Sequence, residues 1–551
     1  MTGRHGPRSK NGCSTCRIRK VKCDEQRPTC GGCRRMQFTC DWLRLGVVPN
    51  TRHYGNSRSV QESCDSTKLR PLKPAIHNAT SKDPQDPTDN LETCENSKLG
   101  INSRSRLLSS CARLLPSLSP PNIPCSNSII LARHDRIFLE YFPASTIHYA
   151  HSPRKWGPLQ YLCEVTALSS SMVMRMMLAI SASEMRRRGL YTTLQGSRPD
   201  FGLYHYTTAL QELQNCITTQ GIEYREEVID EILATIFFMI QYGLQSTPLL
   251  SHVKAHIIGA RSLVTSYVRS LNQTGRRKKG NTTISLPPLS SRLLLWILYT
   301  DVSGTWLETS NELMKLFGNP SSSSLSLAQL YKDARFISST LWGDEYPVDC
   351  RVDDVQNLRP FEFVHRLHMI RSKIWKSRTN ARSGDITHIY SSLMKELMLL
   401  QEIYHELFEK ACADSNTSFR SVHTPKTTSR LIANYWACVL FCRRWLCPSS
   451  SMDTIHHHAI AFIVECISDQ YKKEKRRLLR FIWPMFMAAI ETQDSAHRDW
   501  LLERLAENRN TSAECEWSWN VAREIAKLQS RPDRSCVDLS RFVQFMDNES
   551  K

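Results

Sequence analysis

The sequence predicts a mainly α protein: a small cysteine-built module, a disordered linker and a large all-α domain. Three observations lead there. Six cysteines fall within 28 residues near the amino terminus, spaced C-x2-C-x6-C-x6-C-x2-C-x6-C. A stretch rich in Ser, Asn, Thr and Pro follows. Beyond it, apolar residues recur at steps of three and four, while alternating strand patterns are nearly absent.

The cysteines are Cys13, Cys16, Cys23, Cys30, Cys33 and Cys40, and the second half of their spacing repeats the first. A structural zinc ion takes four thiolates in a tetrahedron, with Zn–S about 2.3 Å. Two ions need eight coordination places, and six thiolates fill them if two sulfurs bridge. Two C-x2-C pairs could instead close a zinc ribbon, which leaves Cys23 and Cys40 unused. The two halves differ in charge: Arg17, Arg19, Lys20 and Lys22 crowd between Cys16 and Cys23, against Arg34 and Arg35 between Cys33 and Cys40. Residues 1–45 hold 11 Lys/Arg and 3 Asp/Glu, or +8. Six thiolates and two divalent ions bring this to about +6. A short helix pinned by metal, with a cationic outer face, suits the DNA backbone and major groove. A zinc knot used for protein contacts is the rival reading.

This stretch resembles the fungal binuclear zinc cluster family, Zn2Cys6. Both C-x2-C-x6-C arms, the R-x-R-K-x-K-C run, Asp24 after the third cysteine and Pro28 two before the fourth match it. The resemblance implies that Cys13 and Cys30 bridge two zinc ions. One ion would take Cys13, Cys16, Cys23 and Cys30, the other Cys13, Cys30, Cys33 and Cys40. It also implies that Arg19 and Lys20 reach base edges, usually of a CGG triplet, while Arg17 and Lys22 contact phosphates. Arg19 stands where some members have Lys.

The chain is 551 residues long, with net charge +19 and 41% hydrophobic residues, enough for a large core. The first ten residues are polar and basic, unlike a secretory signal, and no apolar run is long enough to span a membrane. The other 14 cysteines are scattered, which fits a reducing intracellular compartment. Residues 1–45 are the cluster module. Residues 46–127 carry too little apolar surface to offset chain entropy, so a disordered linker is expected. No heptad pattern there survives three repeats, so it offers no coiled coil.

Residues 128–545 read as helices. Arg133–Phe142 places Ile137, Phe138, Tyr141 and Phe142 on one side and ends at Pro143. Val173, Met177 and Ile180 line the next helix, which closes with Arg186, Arg187, Arg188 and then Gly189. Leu203, Tyr206, Leu210, Leu213 and Ile217 form an amphipathic stripe. Val228–Ile240 is apolar nearly all round and should be central. Val253, Ile257, Ala260, Val264 and Tyr267 repeat the stepping. A loop over Asn272–Pro288 holds the basic run Arg276–Lys279, read as a solvated loop in preference to an import signal. Helices are then expected over Leu293–Trp306, Phe363–Trp375, Tyr390–Leu407, Leu431–Leu446, Ile455–Ile467 and Trp483–Glu491.

This part resembles the fungal-specific transcription factor regulatory domain, in its second common variety. The resemblance rests on Trp483-Pro484-Met485-Phe486 through Glu491, then Asp494, His497-Arg498 and Trp500–Leu505. His205–Leu213, His256 with Gly259-Ala260-Arg261, and Trp296–Val302 by Asp301 match more weakly. Periodicity gives these residues a packing role.

Other constellations carry no chemistry. His456, His457 and His458 point about 100° apart on a helix and cannot share an ion; a partly exposed helix start is expected. Asp353-Asp354 is assigned to a loop. Cys438, Cys442 and Cys447 read as small core hydrophobes. No phosphate-binding loop, G-x-S-x-G or H-E-x-x-H occurs. The expectation is not an enzyme but a nuclear, zinc-dependent, sequence-specific DNA-binding regulator of RNA polymerase II genes. Its partners would be double-stranded DNA, a second copy or related chain as homodimer or heterodimer, transcriptional coactivators and a small-molecule effector.

Overall fold

The 3.6-residue period becomes helix throughout the carboxy-terminal part. A computed structural model describes residues 13, 16, 21–27, 29–35, 129–151, 155–191, 200–219, 226–246, 251–273, 284–303, 311–317, 325–380, 385–416 and 428–529. The chain divides into two compact units, Met1–Cys94 and Glu95–Lys551. No strand occurs among the described residues.

In the first unit the described helix is α1 (Gly31–Arg35). The expected linker, the basic first ten residues and the run Arg276–Lys279 lie outside the described residues.

The longer helices of the second unit are α2 (Arg133–Tyr141), α3 (Ser171–Arg187), α4 (Phe201–Thr219), α5 (Glu226–Ser246), α6 (Ser251–Gln273), α7 (Pro288–Ser303), α8 (Leu327–Arg335) and α9 (Val348–Gln356). They continue with α10 (Leu358–Asn380), α11 (Ile386–Ile403), α12 (His405–Asn416), α13 (Thr428–Leu446), α14 (Thr454–Lys473), α15 (Ile482–Glu491), α16 (Ser495–Asn508) and α17 (Ala513–Gln529). Two of them are apolar around most of their circumference and so become hubs. Helix α5 is packed by α3, α6 and α7; α13 is packed by α10, α12, α14 and α15. Contacts of α7 with α10 join the two groups, and α17 lies on α5, α15 and α16.

Local signals set several boundaries. Ser170 caps α3, its Oγ accepting from Val173 N at 3.3 Å. At the other end Gly189 adopts φ +66°, and the N–H groups of Gly189 and Leu190 donate to the carbonyls of Arg186 and Met185. This pairing satisfies carbonyls that the helix itself leaves open. Where α5 meets α6, a Cβ on Gly243 would stand 2.7 Å from Val253 Cγ2, so the approach requires glycine.

Buried charges are matched. Glu184 is fully buried and accepts from Tyr141 Oη, Thr146 N, Thr146 Oγ1 and Gln245 Nε2, and pairs with Arg188 at 2.8 Å. Glu491, equally buried, receives Arg443 Nη1 at 2.8 Å and Arg444 Nε, tying α13 to α15. Trp483, Pro484, Met485 and Phe486 lie in the core beside it. The family pattern around Glu491 is therefore packing plus one ion-pair knot.

Several expectations shift. In α2, Phe138 is buried but Ile137 is exposed, and Phe142, just past its end, is buried. In α4, Tyr206 and Leu213 are buried, whereas Leu203, Leu210 and Ile217 are exposed, because the helix turns His205 and Ala209 inward as well. The expected helix Tyr390–Leu407 breaks at Tyr404, which is wholly buried while the chain re-enters helix at His405. Helix α7 begins at Pro288, where proline costs no hydrogen bond. Asp353 and Asp354 sit in α9, not in a loop. His456 is buried, with Nδ1 at 2.6 Å from the capping residue Asp453, while His457 and His458 are exposed. Cys438 and Cys442 are core residues.

Candidate metal centre and nucleic-acid interface

The centre is built by two short C-x2-C loops and the turn between them. Cys16 N lies 3.4 Å from Cys13 Sγ, and Cys33 N lies 3.3 Å from Cys30 Sγ. The same backbone-to-sulfur bond thus recurs in both halves, as the repeated spacing requires. Glu25 N donates to Cys23 Sγ at 3.4 Å, with Glu25 itself at φ +59°. These turns aim five described sulfurs inward.

All five cysteines are buried. The sulfurs of Cys13, Cys16, Cys23 and Cys30 lie within 4.8 Å of one another. Individual separations are 3.7 Å for Cys13–Cys30 and Cys13–Cys33, 3.6 Å for Cys16–Cys30 and 3.9 Å for Cys23–Cys13. A tetrahedron with arms of about 2.3 Å has an edge of about 3.8 Å, so the donor set fits zinc. Cys16 and Cys33 are also 3.8 Å apart, so sulfur contacts alone do not divide the donors between two ions. Burial pushes the Cys16 and Cys23 thiols up from their ordinary value, and a bound cation would offset that cost to the thiolates.

Two residues support the centre in a way that sequence reasoning missed. The Asp24 carboxylate accepts from Gly31 N at 2.8 and 3.1 Å and so caps the start of α1. A Cβ on Gly31 would stand 2.5 Å from Asp24 Oδ2, so any larger residue would push the carboxylate out of this position. The available signal was an aspartate placed before a Gly-Gly helix start. Asp24 thereby ties the turn after Cys23 to the helix that carries Cys33.

Of the residues expected to meet DNA, Lys22 is described and exposed. Arg17, Arg19 and Lys20, and the sixth cysteine Cys40, lie outside the described residues. Arg34 and Arg35 add exposed cations at the end of α1, with Arg34 Nη2 donating to Thr29 O at 3.2 Å.

The second unit offers a surface groove of about 350 Å³, between α11, α13 and α14. Met394, Met398, Tyr435, Trp436, Val439 and Ile455 line it. No helix among the described residues is long and apolar enough to cross a membrane.

Two protein families match the chain. Residues 11–45 match the family described as fungal Zn(2)-Cys(6) binuclear cluster domain, and residues 137–533 match the fungal specific transcription factor domain. Sterol uptake control protein 2 of Candida albicans is 52% identical over 47 residues, 8% of this chain and 7% of that protein. Pestheic acid cluster transcriptional regulator 3 of Pestalotiopsis fici is 29% identical over 170 residues, 27% of this chain and 30% of that one. Transcriptional activator protein UGA3 of Saccharomyces cerevisiae is 32% identical over 106 residues, 16% and 19% respectively. The chain thus spans less than a third of the length of each. No solved structure matches.

Proposed function

Because the chain belongs to the fungal specific transcription factor family, we propose that it is a zinc-dependent DNA-binding regulator of RNA polymerase II genes acting in the nucleus. The observation that carries this reading is the convergence of buried cysteine sulfurs at tetrahedral-edge spacing beside a cationic segment. The ligands in this reading are Cys13, Cys16, Cys23, Cys30, Cys33 and Cys40, holding two zinc ions through two shared sulfurs. Zinc supplies the cross-link that a stretch so poor in apolar residues needs in order to fold.

The segment after Cys16 then presents cations to the duplex. Arg19 and Lys20 read guanine edges of a CGG-type site, and Arg17 and Lys22 bind phosphates. Arg or Lys on guanine O6/N7 contributes about 1–3 kcal/mol of discrimination per contact. One such module covers few base pairs, so useful affinity needs a second module from a homodimer or heterodimer. The helical unit supplies surface for that pairing, for coactivators and for a small-molecule effector. The pestheic acid cluster regulator makes a secondary-metabolite gene set the favoured target class.

A mobility-shift assay with the full chain and CGG-containing duplexes tests this. Arg19→Ala and Lys20→Ala should abolish sequence preference. Arg17→Ala and Lys22→Ala should weaken binding to all sequences alike and lower the salt dependence. Retained discrimination in both Arg19→Ala and Lys20→Ala refutes the base-reading assignment.

A further inference from the structure

Helix α9 is anomalous. Its valines, Val348, Val352 and Val355, are 72%, 52% and 62% exposed. At 100° per residue, positions i, i+4 and i+7 fall on one narrow stripe. Roughly opposite that stripe, Cys350 and Asp354 face Tyr346, whose Oη donates to Cys350 O at 3.3 Å and Asp354 Oδ2 at 2.7 Å. The helix is thus attached by its polar side and turns its apolar side to solvent. No residue of α9 is buried. Single exposed apolar residues are ordinary, but an ordered stripe of three has no folding role. Alanine would favour the helix more than exposed valine does.

Charge adds a second observation. Residues 344–356 carry Asp344, Glu345, Asp349, Asp353 and Asp354 against Arg351 alone, a net −4 in a chain of net +19. Asp349 and Asp353 are exposed and fall along one flank of the valine stripe, with Arg351 exposed on the other. Anchors at i, i+4 and i+7 are how an amphipathic helix seats in a groove. Carboxylates on one flank select a groove whose facing side is cationic.

We propose that α9 is a docking helix, placing Val348, Val352 and Val355 in an apolar groove rimmed by Lys and Arg on a transcriptional coactivator protein. The proposal rests on the DNA-binding reading above and assigns to this helix the output of the bound protein. Two variants of the full chain test it: Val348→Ala/Val352→Ala/Val355→Ala, which favours the helix, and Asp349→Lys/Asp353→Lys. Chromatin immunoprecipitation reads site occupancy, transcript levels of the bound genes read output, and sedimentation velocity reads association state. Both variants should occupy the wild-type sites, sediment as wild type and lose output at least fivefold. Unchanged output at full occupancy overturns the proposal. An effect of the valine variant alone overturns the cationic rim. A shift from dimer to monomer makes the occupant a second copy of the chain, and loss of occupancy moves the helix into DNA binding; either result overturns the coactivator assignment. Absence of wild-type occupancy strikes at the DNA-binding reading itself, and this proposal falls with it.

Discussion

Replacing Glu491 by Gln should destabilise the helical unit strongly without touching the cluster. The carboxylate is fully buried and both its oxygens are engaged, Oε2 by Arg443 and Oε1 by Arg444. The two guanidinium side chains are 7% and 5% exposed, so neither can turn to water. In the Gln variant one acceptor becomes a donor aimed at a donor, and two buried cations lose their counter-charge. Removing one partner of a buried pair costs about 3–5 kcal/mol. At roughly 2 °C per kcal/mol for a large domain, Tm should fall about 6–10 °C. Circular dichroism and tryptophan fluorescence of the full chain measure it. A buried knot is little screened, so the deficit should persist from low to high salt. A fall below about 2 °C, or a deficit that vanishes in salt, would show that the ion pair does not hold α13 to α15.

Three further outcomes follow from the geometry. Gly31→Ala forces a Cβ against the Asp24 carboxylate, and Asp24→Ala removes the cap. Loss of a cap costs about 1 kcal/mol, so both should release zinc to a competing chromophoric chelator about fivefold more readily. His368 stacks on Tyr299, and burial lowers its pKa to about 3. Its neutral form is the folded one, so its contribution is full above pH 6.5 and is lost as pH falls from there. His368→Gln should therefore lose less stability than wild type between pH 6.5 and 4 in urea titrations. Burial instead raises the Asp301 carboxyl to about 6. Its contribution is full below the unfolded value near 3.8 and is lost as pH rises through 6. Asp301→Asn, which can still accept from Leu313 N, should flatten that limb of the stability profile.

The cysteine spacing made the centre legible because metal coordination is a counting problem, and six thiolates admit few solutions. Long helices were legible for a similar reason: over Val253–Tyr267 the apolar period is unbroken, and every one of its five stripe positions is buried. Where periodicity failed, tertiary packing had decided the matter. The rotation of α4 follows from its packing on α3 and from His205 meeting Asp135 of α2 at 3.0 Å, which no step count contains. The break at Tyr404 buries one large ring, while the apolar spacing of Leu400, Tyr404 and Leu407 runs on across it. His456 is drawn inward by its cap, which hydropathy does not register. Asp353-Asp354 suggests a loop because carboxylates dominate the local composition and the apolar residues of α9 serve no core. The roles of Asp24 and Gly31 were hidden because a cap and a steric requirement are visible only once both backbones are placed.

The position of α17 bears on how the protein is made. This helix, the last one described, lies on α5 as well as on α15 and α16, so an early hub waits for late residues. On the ribosome, the helical unit cannot close until Gln529 has emerged, whereas the cysteine segment has long since left the exit tunnel. A nascent chain can therefore carry a metal-loaded amino terminus while its larger partner still awaits α17. Premature termination before Ala513 would leave that amino-terminal module attached to an unfinished body.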